Sequence, residues 1–382
     1  METQKKPLCA WPYFHQKVNS NGSVMPCCAW HKNQKNGIVD DKPNDRDGFF
    51  HGQFMQKLRD TFAQGIMPAN CDSCTYSESL YENAWSYRKL GLQFAEEMGV
   101  DFSNPQLLSQ EVDLGNLCNI KCRTCDQHRS TKWTADSEAL GMKPVGLLSA
   151  DWSLTDAQAL TTKHLTFLGG EPMMYQDKIY SELSKLGDRL PELRVNLTSN
   201  MTIPLGRDLV DLLRHTKSTW FICSIDGYEG LNDYIRSDSQ WHEVQNNVRQ
   251  MQDLHAQHSN IGFGINFTFS VFNAHNFMEF NDWWKTINPN IGVTLVTYPE
   301  IHDARNLPRD YKQELLDQYI RHQGRDTPYQ RAIAQIIEHL RQDGSLQPDL
   351  WRSSLKQHND ILDLRRGQTL FDVNPRLAAI LC

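Results

Sequence analysis

The sequence predicts an α/β protein on a parallel sheet, open or curled into a partial barrel, preceded by a cysteine-rich segment and followed by helices. Three observations carry this expectation. From residue 111 to about 300, short apolar runs alternate with amphipathic stretches. Most of those runs end in polar or glycine-rich loops (GNLCN, GGEP, TSNM, SIDG). Eight of the ten cysteines fall before residue 126. The predicted strands are EVDLG (111–115), HLTFLGG (164–170), LRVNLTSN (193–200), WFICSID (220–226), IGFGINFTFS (261–270) and GVTLVTY (292–298). Between them, Lys178–Leu186, Leu209–His215, His242–Leu254 and Asn276–Thr286 read as helices. This alternation is the signature of parallel strands with helices outside, and such folds bind ligands at the carboxyl ends of their strands.

The other elements follow from local punctuation. Residues 1–77 are rich in Cys, Gly, Pro, Asn and Asp, with one helix expected near Phe54–Gln64 and Gly65 placed to stop it. Such a segment has little apolar material, and bound metal would supply the missing stability. A helical stretch near Ser77–Met98 links it onward, and from Pro308 the chain reads as helices broken at QDGS (342–345) and GQT (367–369). The expected blocks are therefore 1–77, a linker 78–107, the α/β core 108–300 and a helical extension 301–382.

At 382 residues, with 39% hydrophobic and 22% charged residues, the chain has the material for a large core and two or three domains. A formal charge of −7 argues against a general nucleic-acid binder. No apolar run approaches the ~20 residues of a membrane span. METQKKPLCAW has two lysines but no apolar core after them, so a cytoplasmic location is the expectation. In a reducing compartment, clustered cysteines more often bind metal than pair.

The stretch CNIKCRTC places Cys118, Cys122 and Cys125 just after the first predicted core strand. This C-x3-C-x2-C triplet resembles the signature of the radical S-adenosylmethionine (SAM) superfamily. Three cysteines then answer to three irons of a [4Fe–4S] cluster, with the fourth iron open to SAM, as in any metal site that keeps a free position. The resemblance implies a partial (β/α)6 barrel. It also implies cleavage of SAM, on one-electron reduction, to methionine and a 5′-deoxyadenosyl radical that abstracts a substrate hydrogen. LGGEP (168–172) resembles the superfamily's GGEP segment, which implies that Gly169, Gly170 and Glu171 meet the SAM amino group. Ser199 and Asn200, Ser224 and Asp226, Arg236 in DYIR, and Asn273 follow at later strand ends as carboxylate or ribose contacts. Each has a plainer alternative: a tight turn for the glycines, a helix cap for Ser199 or Asn200, a solvated turn for Asp226, an ion pair for Arg236. Thr124 departs from the aromatic residue often found before the third cysteine.

The earlier cysteines follow a second pattern. Cys9, Gly22 and Cys27, then Cys71-x2-Cys74, resemble the SPASM/twitch extension, which implies a second, auxiliary [4Fe–4S] cluster held by those four cysteines, with Gly22 at a hairpin turn. In most relatives this extension follows the barrel; here it precedes it. A four-cysteine zinc knuckle is the alternative, and Cys28 is left over to replace Cys27, donate a hydrogen atom or pack. The family implies a low-potential electron donor such as flavodoxin or ferredoxin. It implies a peptide or protein side chain as substrate; alternatives are a nucleotide or other small metabolite, or a non-catalytic iron–sulfur or zinc protein. Trp220, Trp241, Trp283 and Trp284 are expected to pack in the core, His128 to be a solvated loop residue, and Cys223 to be buried and inert.

Overall fold

The computed structural model describes residues 6–31, 46–80, 84–324 and 328–382. Ten strands occur among them: β1 (His15–Val18), β2 (Val24–Met25), β3 (Ser109–Asp113), β4 (Lys121–Cys122), β5 (His164–Leu168), β6 (Arg194–Ser199), β7 (Ser218–Ser224), β8 (Arg236–Ser237), β9 (Ile261–Phe269) and β10 (Ile291–Leu295). The class is α/β with largely parallel pairing, consistent with a partial barrel, and the expected C-terminal helices are present. Helices 176–184, 207–213, 241–257 and 277–284 follow β5, β6, β7 and β9 in turn. No described helix is long and apolar enough to cross a membrane.

The chain forms two compact units, cut elsewhere than at the expected blocks. The first comprises residues 1–116, 148–197 and 206–219. Its strands run in the order β2-β1-β3-β5-β6. β1 is antiparallel to β2 and parallel to β3, so the cysteine-bearing N-terminal stretch supplies a strand beside the first predicted core strand. Gly22 turns the β1–β2 hairpin at φ +80, a backbone conformation that a side chain would strain. The expectation of a poor core before residue 77 is corrected: Trp11, Phe14, Trp30, Phe50, Met55 and Phe62 form a buried cluster that reaches Leu108. Large aromatic side chains supply the burial that the polar composition concealed.

One face of this sheet is polar and buried. The Ser109 hydroxyl bridges His15 Nδ1 (2.8 Å) and His164 Nδ1 (2.9 Å). Nearby, Lys17 Nζ lies 2.5 Å from Glu111 and 3.2 Å from Asp113, and the Tyr87 hydroxyl donates to Glu111 (2.9 Å).

The second unit comprises residues 117–147, 198–205 and 220–382. β7, β9 and β10 lie side by side, with β9 and β10 parallel from Ile265↔Ile291 to Phe269↔Leu295. Phe221, Cys223, Phe263, Phe267, Phe280 and Trp284 are buried here, and burial raises the Cys223 thiol to about 12. Trp220 departs from the core expectation: it is 38% exposed, with its ring laid against Gly262 and Gly264, where a Cβ would collide with it. The two residues of β4 and of β8 form a separate antiparallel ribbon, Lys121↔Ser237 and Cys122↔Arg236.

Candidate functional site

In the second unit, Cys118, Cys122 and Cys125 lie on one short loop, Cys118 buried and the others half-buried. Local bonds shape it. The Cys125 amide donates to the Cys122 carbonyl (3.1 Å), the Ser130 hydroxyl to the Ile120 carbonyl (2.6 Å), and the Trp133 indole N–H to the Cys122 carbonyl (2.9 Å). Burial pushes the Cys122 thiol up, with the Arg236 guanidinium working against it; burial and then Cys122 push Cys125 up. A metal that binds thiolate would have to displace those protons.

Arg236 stands beside these sulfurs. Its Nη1 is 3.7 Å from Cys122 Sγ and its Nη2 is 2.8 Å from Asp226 Oδ2, while its buried Nε has no hydrogen-bond partner. The other oxygen of Asp226 accepts from the Thr268 amide at 2.8 Å. Asn200 directs its amide to Asn119 Oδ1 (3.0 Å) and toward Cys118 Sγ (4.0 Å), and it accepts from Thr202. Ser199 Oγ accepts from the Met201 amide (3.0 Å), where the chain turns at φ +62. Asn273 is fully buried and spends its amide on the backbone, bonding the carbonyls of Asp226 and Thr268 at 2.8 Å each. Ser224 is half-buried at the end of β7. Asp226, Arg236 and Asn200 are thus gathered at the cysteine loop, whereas Asn273 braces the backbone beneath Asp226. His128 is exposed in the following loop, 3.4 Å from Asp126.

In the first unit, the Gly170 amide donates to the Gly115 carbonyl (2.7 Å). A Cβ on Gly169, at φ +137, would meet that same oxygen at 2.8 Å, so only glycine fits there. Glu171 is buried and accepts from the Met173 amide at 3.0 Å, capping the short helix that follows.

The same unit gathers Cys9, Cys27, Cys71 and Cys74 on the wall of one small cavity with Trp11 and Arg88. Burial raises all four thiols, Cys71 to about 12. Cys28 is exposed and does not line the cavity. Among the described residues, no three His, Cys, Asp or Glu side chains converge as a single ion requires. Tetrahedral zinc needs its sulfurs all ~2.3 Å from one point.

Three participants escaped the sequence reading: Arg123 inside the cysteine loop, Trp133 after it, and Arg366 in the C-terminal helices. Their only sequence signal was position, an arginine between two cysteines and an Arg-Arg pair ahead of the GQT turn.

Residues 112–270 match the family model described as the Radical SAM superfamily. No curated protein matches the chain. Similar solved structures include native anSMEcpe with bound AdoMet, at 15% identity over 56% of this chain and 61% of that one, TM-score 0.41. Another is Streptococcus suis SuiB bound to S-adenosylmethionine, at 15% identity over 79% and 69%, TM-score 0.36. SuiB bound to its precursor peptide SuiA is similar at 15% identity over 82% and 70%, TM-score 0.35. The chain spans about three fifths of the length of the first of these.

Proposed function

We propose that this chain, whose residues 112–270 match the Radical SAM superfamily model, is a radical SAM enzyme that abstracts hydrogen from a peptide or protein side chain, assisted by an auxiliary [4Fe–4S] cluster on its N-terminal cysteines. The observation that carries the auxiliary site is the meeting of Cys9, Cys27, Cys71 and Cys74, from three separate stretches, around one cavity. The donor sets fit iron–sulfur clusters: three thiols on one loop for the first and four around a largely apolar cavity for the second. The likeness of the N-terminal motif to the SPASM/twitch extension, frequent in peptide-modifying relatives, supports the substrate class.

In this reading Cys118, Cys122 and Cys125 would hold a [4Fe–4S] cluster, which would supply the reductive cleavage of SAM. Arg236 offers the cofactor's carboxylate a fixed guanidinium, held by Asp226. Gly169 and Gly170 bring backbone close to the cofactor, and Glu171 offers a carboxylate to its amino group. Cys9, Cys27, Cys71 and Cys74 would hold the auxiliary cluster, which would supply an anchor for substrate or an acceptor for its last electron. The expected blocks, 1–77 as auxiliary segment and 108–300 as core, remain the functional division under this proposal. Electrons come from a flavodoxin- or ferredoxin-like donor.

The test is anaerobic reconstitution followed by metal analysis and reduction with SAM. About eight irons per chain and released 5′-deoxyadenosine are expected. One cluster plus stoichiometric zinc would remove the auxiliary cluster from the reading, and intact SAM would remove the chemistry.

A further inference from the structure

The C-terminal helices carry no motif that the proposed reading uses, yet they grip the cysteine loop. Arg123, between Cys122 and Cys125, is fully buried. Its Nη1 donates to Asn359 (2.8 Å) and its Nη2 to Asp363 (2.5 Å) and Gln368 (3.0 Å), and its guanidinium lies 3.7 Å over the Tyr234 ring. Asn359 and Asp363 belong to helix 348–366. At the end of that helix Arg366, also buried, donates to the carbonyl of Lys121, the residue before Cys122 (2.9 Å). It lies 4.7 Å over Trp133, the side chain that holds the Cys122 carbonyl.

The charges in this region do not balance. Asp363 answers Arg123 and Asp226 answers Arg236. Among the described residues, Asp136 alone pairs with both Arg365 and Arg366. Arg365 is 37% exposed and screened by water; Arg366 is 1% exposed, and its buried Nη2 has no hydrogen-bond partner. A buried cation with an unmatched donor is costly unless a negative group offsets it, and a cluster on three thiolates becomes more negative when reduced.

We propose that helix 348–366 is a working part of the iron–sulfur site: Arg366 is a positioning residue whose fixed charge raises the reduction potential of the cluster on Cys118, Cys122 and Cys125, while Arg123 holds the loop in place. The inference rests on the reading of those cysteines as cluster ligands. A positive charge nearby favours the state that has gained an electron.

The experiment is an EPR-monitored redox titration of the reconstituted full chain, following the signal that changes on addition of SAM. Arg366→Gln should load iron as the wild type does but shift the reduced-to-oxidised ratio at fixed potential about tenfold toward oxidised, ~59 mV for one electron. Arg366→Lys, which keeps the charge, should titrate near the wild type. Asp136→Asn, which frees that charge, should shift the couple the other way. An unmoved potential in iron-replete Arg366→Gln, or an equal shift in Arg366→Lys, overturns the proposal. Should Arg366→Gln fail to load iron, the sign of the Asp136→Asn shift decides: positive supports it, zero or negative overturns it. A wild type with no SAM-responsive cluster rejects the underlying function instead.

Discussion

Arg236 and Glu171 were both read from sequence as cofactor contacts, but their surroundings give them different costs of removal. Arg236 neutralises a fully buried carboxylate and touches a thiol, so Arg236→Ala leaves Asp226 charged and unpaired. Removing one partner of such a pair costs ~3–5 kcal/mol. Arg236→Ala should therefore lower the urea midpoint as well as weaken SAM binding. Glu171→Gln retains an oxygen to accept the Met173 amide; it should weaken SAM binding, which calorimetry measures, with little change in the midpoint. SAM affinity equal to wild type in both would mean that neither residue meets the cofactor.

Glycines show what an element can hide. Gly91 lies inside helix 87–98, where alanine would ordinarily gain ~1 kcal/mol. Here a Cβ would sit 2.5 Å from Trp11 Nε1, in a ring that also stacks on Tyr87. Gly91→Ala should instead destabilise, by roughly 1–3 kcal/mol on denaturant melts, because the packed ring has nowhere to go. At this scale the sequence was readable wherever apolar periodicity reports burial. The strands from β3 to β10 with clean apolar runs were found within a few residues of their ends. β1, with the sequence HQKV, was missed because its buried face is polar: His15 and Lys17 are satisfied by Ser109, Glu111 and Asp113, partners that only pairing brings together. The ribbon of β4 and β8 is two residues long on each side, too short for any pattern. The candidate site divided the same way: its cysteines stand out by spacing alone, whereas the contacts of Arg123 and Arg366 form only because helix 348–366 packs on a loop more than two hundred residues earlier in the chain.

For the molecule as a whole, the two cysteine sets should separate iron content from turnover. Alanine at Cys118, Cys122 and Cys125 should halve the iron and abolish SAM cleavage. Alanine at Cys71 and Cys74 should spare 5′-deoxyadenosine formation and stop product formation; product at wild-type level would make the N-terminal site structural. Acid should also destabilise the fold. Burial holds His15 and His164 down to about 3, His275 and His358 to about 4, and lowers His302 and His339. Unfolded, each takes a proton near pH 6.5. Between that value and the folded ones the unfolded chain binds more protons, so stability present above pH 6.5 is lost as pH falls, by up to ~1.4 kcal/mol per unit for each histidine. Urea midpoints of iron-free protein should drop steeply from pH 7 to 5, and less steeply in His164→Gln.

The reach of Arg123 to Asp363, 240 residues along the chain, also sets an order of events on the ribosome. All four cysteines around the N-terminal cavity, and the aromatic core packed beside them, have been translated by Leu108. The loop of Cys118, Cys122 and Cys125 emerges next, but Asp363, which grips it, is made 240 residues after Arg123. At ~5–20 residues per second that interval lasts on the order of tens of seconds. During it the three thiols are synthesised but unbuttressed, open to oxidation or to the wrong metal. Under the proposed reading, iron and sulfide are best delivered to the triplet once helix 348–366 has been made, while the N-terminal cysteines can be served earlier in synthesis.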